Sequence, residues 1–319
     1  MEERDMKLRV VVSVVVACVL MGPARPAEAR FGSDAPKLSS AEKKDLRRLI
    51  KRVSRGKRIA RERAAREIAK LGPKAASAVP ALERVLKDKS ESLRAAALEA
   101  LGAIGNERAV KVLGERFSKT REVALQRVIA GALGELGEAA LAALPKLTKG
   151  LESESQDVQR ECAVAIGKIG ADGEDQRAGL RALLEADDER LKVTAAIALC
   201  DIGAGDSGLV SLLAETAAAP RKLMTLRLGA TGSLQKLGAQ ATPATGALVR
   251  VLEETFVRNP ALPYNAAQKL QHDKLRCGAA RALGAIGAGA VEAIPSLERC
   301  LEETAIAGAA REAIGRIQA

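Results

Sequence analysis

Aromatic residues are almost absent: 319 residues hold no Trp, one Tyr and three Phe. Ala, Val, Ile and Leu must therefore build the core, which suits helix on helix and argues against an aromatic-rich β sandwich. No aromatic lies between Phe31 and Phe117, so the basic stretch there lacks the platforms on which single-stranded nucleic acid stacks. Histidine is as scarce. His272 alone cannot supply the several ligands that catalytic zinc or di-iron sites take. A serine or cysteine triad would depend on that same residue as its base, and no G-x-S-x-G elbow occurs. His272 is read as a solvated loop residue. No catalytic residue, metal or cofactor is expected.

Cysteine offers little more. None of the five forms a C-x-x-C pair. Cys162 falls in an apolar column and is read as buried. Cys277 and Cys300 lie on the two helices of one repeat, where an oxidising compartment would allow a bridge. Gly203–Gly208 matches G-x-G-x-x-G, but it follows a helical pattern rather than a strand and is read as an inter-helix turn.

Long apolar runs are also missing. The longest N-terminal one, Val10–Gly22, has 13 residues, short of the roughly 20 that span a bilayer. Lys7 and Arg9 before it and Ala27-Glu28-Ala29 after it form a secretory signal pattern, with cleavage after Ala29. Export to a periplasmic or extracellular space is therefore expected. Lipidation at Cys18, within Val15-Val16-Ala17-Cys18, and a retained anchor are the alternatives.

What the chain has in excess is positive charge, +11 in all. Residues 37–70 carry fourteen Lys or Arg against four acidic residues. Ser39 and Glu42 have capping-box spacing, and Leu46, Leu49, Ile50 and Val53 make an apolar stripe. A basic capping helix is predicted, broken at Arg55-Gly56-Lys57, with residues 30–56 forming the lead and cap. Its Lys43, Lys44, Arg47, Arg48, Lys51 and Arg52 are candidate anion contacts.

The chain also has repetition. Leu93–Gly105, LRAAALEALGAIG, has counterparts at 60–72, 125–137, 158–170, 191–203, 226–238 and 275–287, with a partial copy at 307–319. Their terminal glycines are spaced 33, 32, 33, 33, 35 and 49 residues apart. In the leading copy Leu93, Ala97, Leu101 and Ile104 form a helical stripe, and Gly105 supplies a C-terminal stop. Units too thin to bury their own apolar face must stack, so one core is expected along residues 57–319. A second helix follows each glycine, as in 78–86, 143–151 and 293–301, opened by Pro80, Pro145 and Pro295. Leu82 and Leu86 face the core in this register, and the outward residue between them is Arg84, with Lys149, Arg250 and Arg299 in its place elsewhere. Glu115, Ala182 and Ala214 interrupt that series.

These helix pairs resemble HEAT-type repeats, above all the short bacterial HEAT-like class named from phycobilisome lyases. The resemblance implies an all-α solenoid of about seven stacked pairs with an N-terminal capping helix and a C-terminal half-repeat. It also implies a concave second-helix surface for partners. Arg61, Arg94, Lys192, Arg227 and Arg276 match the family's recurring first-helix basic position, where a polar ladder between repeats is expected; Gln126 and Gln159 would interrupt it. The His-Glu pairs of HEAT-like di-iron hydroxylases and the aromatic pocket of HEAT-like DNA glycosylases are both missing.

About sixteen surplus residues fall near 257–274, with Pro260, Pro263, Tyr264 and His272. A lengthened second helix followed by a loop is one reading of them, and a customised binding loop around Tyr264 the other. The functional expectation is a non-catalytic, exported scaffold that holds another protein through Arg84, Lys149, Arg250, Arg299 and Tyr264. An anion-binding adaptor for lipid, polymer or nucleic acid, acting through the basic cap, is the alternative. An accessory subunit of a lyase-like enzyme is the third.

Overall fold

The computed structural model describes residues 38–170, 172–255 and 266–319, so the signal pattern, Cys18 and Tyr264 lie outside the described residues. The chain divides into two compact units, Met1–Ala171 and Asp172–Ala319. Every described element is helical, and no strand occurs among the described residues.

Unit 1 starts with the capping helix, α1 (Ser40–Arg55). The Ser39 backbone N–H donates to Glu42 Oε2 at 2.7 Å and the Glu42 N–H to Ser39 Oγ at 3.2 Å, closing the predicted box. Then follow α2 (Arg58–Leu71), α3 (Val79–Val85), α4 (Glu91–Ile104), α5 (Glu107–Lys119), α6 (Val123–Glu135), α7 (Leu144–Gly150) and α8 (Gln156–Ile169). α2, α4, α6 and α8 are first helices, and each packs on the next in the series. The capping helix packs against α2 and α3.

The leading stripe is buried as its spacing requires, with Leu93, Ala97, Leu101 and Ile104 at most 1% exposed. Ala96 and Ala100 are buried as well, because a first helix has neighbours on two sides. Small residues let those neighbours approach closely: a Cβ added to Gly134 on α6 would lie 2.9 Å from the Ala165 Cα on α8. The repeat-ending glycines all take positive φ, from +55° to +83°, a region that costs other residues about 1–2 kcal/mol. The links at Gly72–Ala78 and Gly137–Ala143 are 3₁₀ turns, and Pro80 and Pro145 open α3 and α7 where no N–H is needed.

Unit 2 repeats the plan with α9 (Glu174–Ala182), α10 (Glu189–Asp201), α11 (Ser207–Ala218), α12 (Met224–Leu237), α13 (Thr245–Glu253), α14 (Ala266–Ile286), α15 (Ile294–Arg299) and α16 (Ala307–Gln318). Three expectations change here. The surplus near 257–274 does not lengthen the second helix, since α13 stops at Glu253; residues 266–274 extend the first helix, α14, toward its N-terminus. The final copy begins one residue earlier than 307, because Ile306, fully buried, takes the place of Leu275. Ala214, expected to face outward, is buried at 7% exposure on α11.

Candidate functional site

The first-helix basic position forms a ladder in each unit. Arg61 donates from Nε back to the Val53 carbonyl at 2.9 Å and from Nη1 forward to Asp88 at 2.7 Å. Arg94 reaches the Asp88 carbonyl at 3.1 Å and Glu122 at 2.8 Å. In unit 2, Arg227 donates to the Ala217 carbonyl at 2.8 Å and grips both oxygens of Glu254. Arg276 repeats this with the Leu252 carbonyl at 2.7 Å and Glu303 at 2.6 and 2.7 Å. Each guanidinium thus satisfies a carbonyl near the end of the helix before it and a carboxylate beyond the next second helix. Gln126, Gln159 and Lys192 make no such ion pair among the described residues, so the ladder is interrupted in the middle of the chain. The acceptors Asp88, Glu122, Glu254 and Glu303 were not foreseen, although each stands 27 or 28 residues after its arginine.

The ladder sets local electrostatics. Hydrogen bonds from Arg227 and Arg276 hold Glu254 and Glu303 below the usual carboxylate range. Asp88 is lowered too, first by the Ser90 backbone N–H and then by Arg61. His272 is not a solvated loop residue as the sequence suggested. It is a buried side chain on the extended turns of α14, 4% exposed, with Nε2 3.8 Å from Glu254 Oε1 and Nδ1 4.0 Å from Asp273 Oδ1. Burial pushes its pKa down.

The outward cations behave differently in the two units. Arg84 and Lys149, in unit 1, are exposed, and Arg84 Nε donates to the carbonyl of the helix-opening Pro80 at 3.2 Å. Lys87, Lys111 and Lys146 add to them from the second-helix segments, and none of these five makes an ion pair among the described residues. Glu115, which breaks the series, pairs with Lys119 at 3.3 Å. In unit 2, Arg250 and Arg299 are also exposed, but Arg299 already holds Glu253 of α13 at 2.6 Å. Its cationic contribution is therefore neutralised locally.

The six candidate anion contacts on α1 are all exposed, opposite the buried Leu46 and Val53. Only Arg48 is paired, with Asp45 at 3.1 Å. Elsewhere, the described cysteines are free thiols. Cys277 Sγ donates to the Ala305 carbonyl at 3.3 Å, and Cys300 accepts from Arg276. Burial raises Cys162 and Cys200 to about 12, which leaves them unreactive. The glycine pattern at 203–208 runs from the turn after α10 into the first turn of α11, which Asp206 caps by accepting from the Leu209 N–H at 3.0 Å. Among the described residues no group of three or more His, Cys, Asp or Glu is placed to hold a metal.

Stacked helix pairs, glycine stops and an arginine ladder define an α-solenoid of HEAT type. HEAT repeats match over residues 46–129 and 118–200, and the PBS lyase HEAT-like repeat over residues 275–303. The chain belongs to the HEAT-repeat family. Among solved structures it is similar to the complex of CpcE and CpcF of phycocyanin lyase from Nostoc sp. PCC7120, with a TM-score of 0.51 and 21% identity over 93% of this chain and 99% of that one. YibA of Escherichia coli gives 0.53 and 16%, over 88% and 98% of the two chains. Importin beta gives 0.53 and 17%, over 80% of this chain and 38% of its own. These likenesses are of fold. No curated protein gives a significant match.

Proposed function

We propose that this protein is an exported, non-catalytic scaffold that holds an acidic protein partner on the second-helix face of unit 1. Arg84 and Lys149 are its central contacts, joined by Lys87, Lys111 and Lys146. The observation that carries this reading is the distribution of charge: residues 38–170 hold 28 basic and 17 acidic residues, and residues 172–319 hold 17 and 18. Desolvating a cation costs least when a partner carboxylate replaces the water, and complementary fields speed the encounter. The complex of CpcE and CpcF of phycocyanin lyase shares the fold, which lends support to a protein partner.

The test is a pull-down from the native host. Charge reversal at Arg84, Lys146 and Lys149 is expected to lower recovery of the partner about tenfold, the effect of losing roughly 1.4 kcal/mol. Reversal at Arg250 and Arg299 should leave recovery near wild type. Equal recovery with both variants would overturn the assignment to unit 1. The N-terminus of the protein from its host, expected at Arg30, tests export separately.

A second reading has its own observation, the exposed row of Lys43, Lys44, Arg47, Lys51 and Arg52. It makes α1 a contact for an anionic surface. Binding to anionic vesicles that does not weaken as salt rises would eliminate it.

A further inference from the structure

In α6, α8, α12, α14 and α16 the fourth or the eighth position of the repeat meets the preceding first helix of the same unit. The eighth is Ala100 in α4, Ala165 in α8, Ala282 in α14 and Ala313 in α16, all buried. Gly134 meets Ala165, and Gly284 meets Ala313, at 2.9 Å from an added Cβ to the neighbouring Cα. In α2 these two positions are Arg63 and Glu67, and both are exposed. No first helix precedes α2 among the described residues, because α1 packs against α2 and α3 instead. The face is left as an open groove of about 610 Å³, lined by Arg52, Lys57, Arg58, Ile59, Arg63 and Glu67.

The lining states what would fit. Ile59 is 61% exposed, an aliphatic side chain among the groove's charged lining. Arg52, Lys57 and Arg63 make no ion pair among the described residues. Arg58 is 4.0 Å from Glu62 and its side chain is 72% exposed. Glu67 is the one acid against four cations. A polyanion would meet Glu67 and gain nothing from Ile59. A helix with carboxylates on one edge and an aliphatic stripe satisfies both.

We propose that this groove receives an acidic amphipathic helix of a partner protein, laid along α2 where a preceding first helix lies in the other repeats. Its aliphatic stripe covers Ile59 and its carboxylates meet Arg52, Lys57, Arg58 and Arg63. This site is separate from the second-helix face and does not depend on it.

The probe is a fluorescein-labelled synthetic helix with Glu on one face and Leu and Ala on the other, titrated with the full chain. A scrambled peptide of the same composition, phosphatidylglycerol vesicles and duplex DNA serve as comparison ligands. R58E/R63E should weaken binding of the helix about tenfold, and Ile59→Ser about threefold. R58Q/R63Q, which adds no repulsion, should still weaken it several-fold, and circular dichroism should show all variants folded. R311E, on the exposed side of α16 in unit 2, should bind the probe like wild type. Equal affinity for the scrambled peptide, or no response to R58E/R63E and R58Q/R63Q, overturns the proposal. So does groove-dependent binding of vesicles or DNA without binding of the helix.

Discussion

The two units are built from the same phrase and carry the same ladder, yet they place their charge in opposite ways. Unit 1 keeps its cations on the outside, on α1, on the second helices and around Ile59, and holds the whole charge surplus of the chain. Unit 2 draws charge inward. The Arg227 side chain is 2% exposed and that of Arg276 11%, against 14% for Arg94 and 21% for Arg61. The chain's single histidine is folded in beside them. A repeat scaffold can thus hold one chemistry at its framework and vary where charge meets water. Exposed cations contribute little to stability, whereas buried ones serve the framework.

The largest effect that would break this contrast is at the ladder. Arg227→Ala leaves Glu254 and the Ala217 carbonyl without their donor and should cost about 3–5 kcal/mol. Arg94→Ala, where the partner Glu122 is half exposed, should cost about 1 kcal/mol or less. Urea denaturation of the two variants compares them directly, and equal losses would remove the distinction between the units.

The next effect concerns packing. Gly284→Ala forces a methyl against the Ala313 backbone and should cost about 1–3 kcal/mol. Gly315→Ala, at the same position of α16, meets nothing within 4 Å. It should stabilise by about 0.5–1 kcal/mol through helix propensity alone. Melting temperatures that move in the same direction would contradict this geometry.

The smallest effect is on pH dependence. Burial lowers the His272 pKa, so the unfolded chain takes up the proton first as pH falls. Stability linked to this group is present above its unfolded value, about 6.5, and is lost below it. The groups around the ring are Glu254, Asp273, Arg227 and Arg276. Hydrogen exchange in α14 should quicken between about pH 7 and pH 5.5 after correction for intrinsic rates, and His272→Gln should remove that change. α4, in the unit without histidine, should show no such step. A matching step in α4 would refute the assignment.

Much of this framework could be read from residue spacing. The glycine stops, the prolines opening α3, α7 and α15, the Ser39 cap and the outward turn of Arg84, Lys149, Arg250 and Arg299 follow from local rules of helix geometry. His272 was misread because its neighbours Pro260 and Pro263 suggest a loop, while its burial depends on α14 starting two turns early. Ala214 was misplaced because its burial depends on packing against neighbouring helices, which spacing along α11 does not specify. Ile59 was not singled out by any spacing rule. Its exposure follows from α1 taking the second-helix side and leaving α2 uncovered.

The sequence by itself determined the repeat, its period, the ends of its helices and the charge it carries, since each depends on residues within a few turns of one another. Only the tertiary structure decided that the chain forms two compact units, which charges are buried or already paired, and which apolar side chain is left in water. Those outcomes depend on contacts between segments some thirty residues apart, where the same arginine can be a rung of the ladder or a hand held out to a partner.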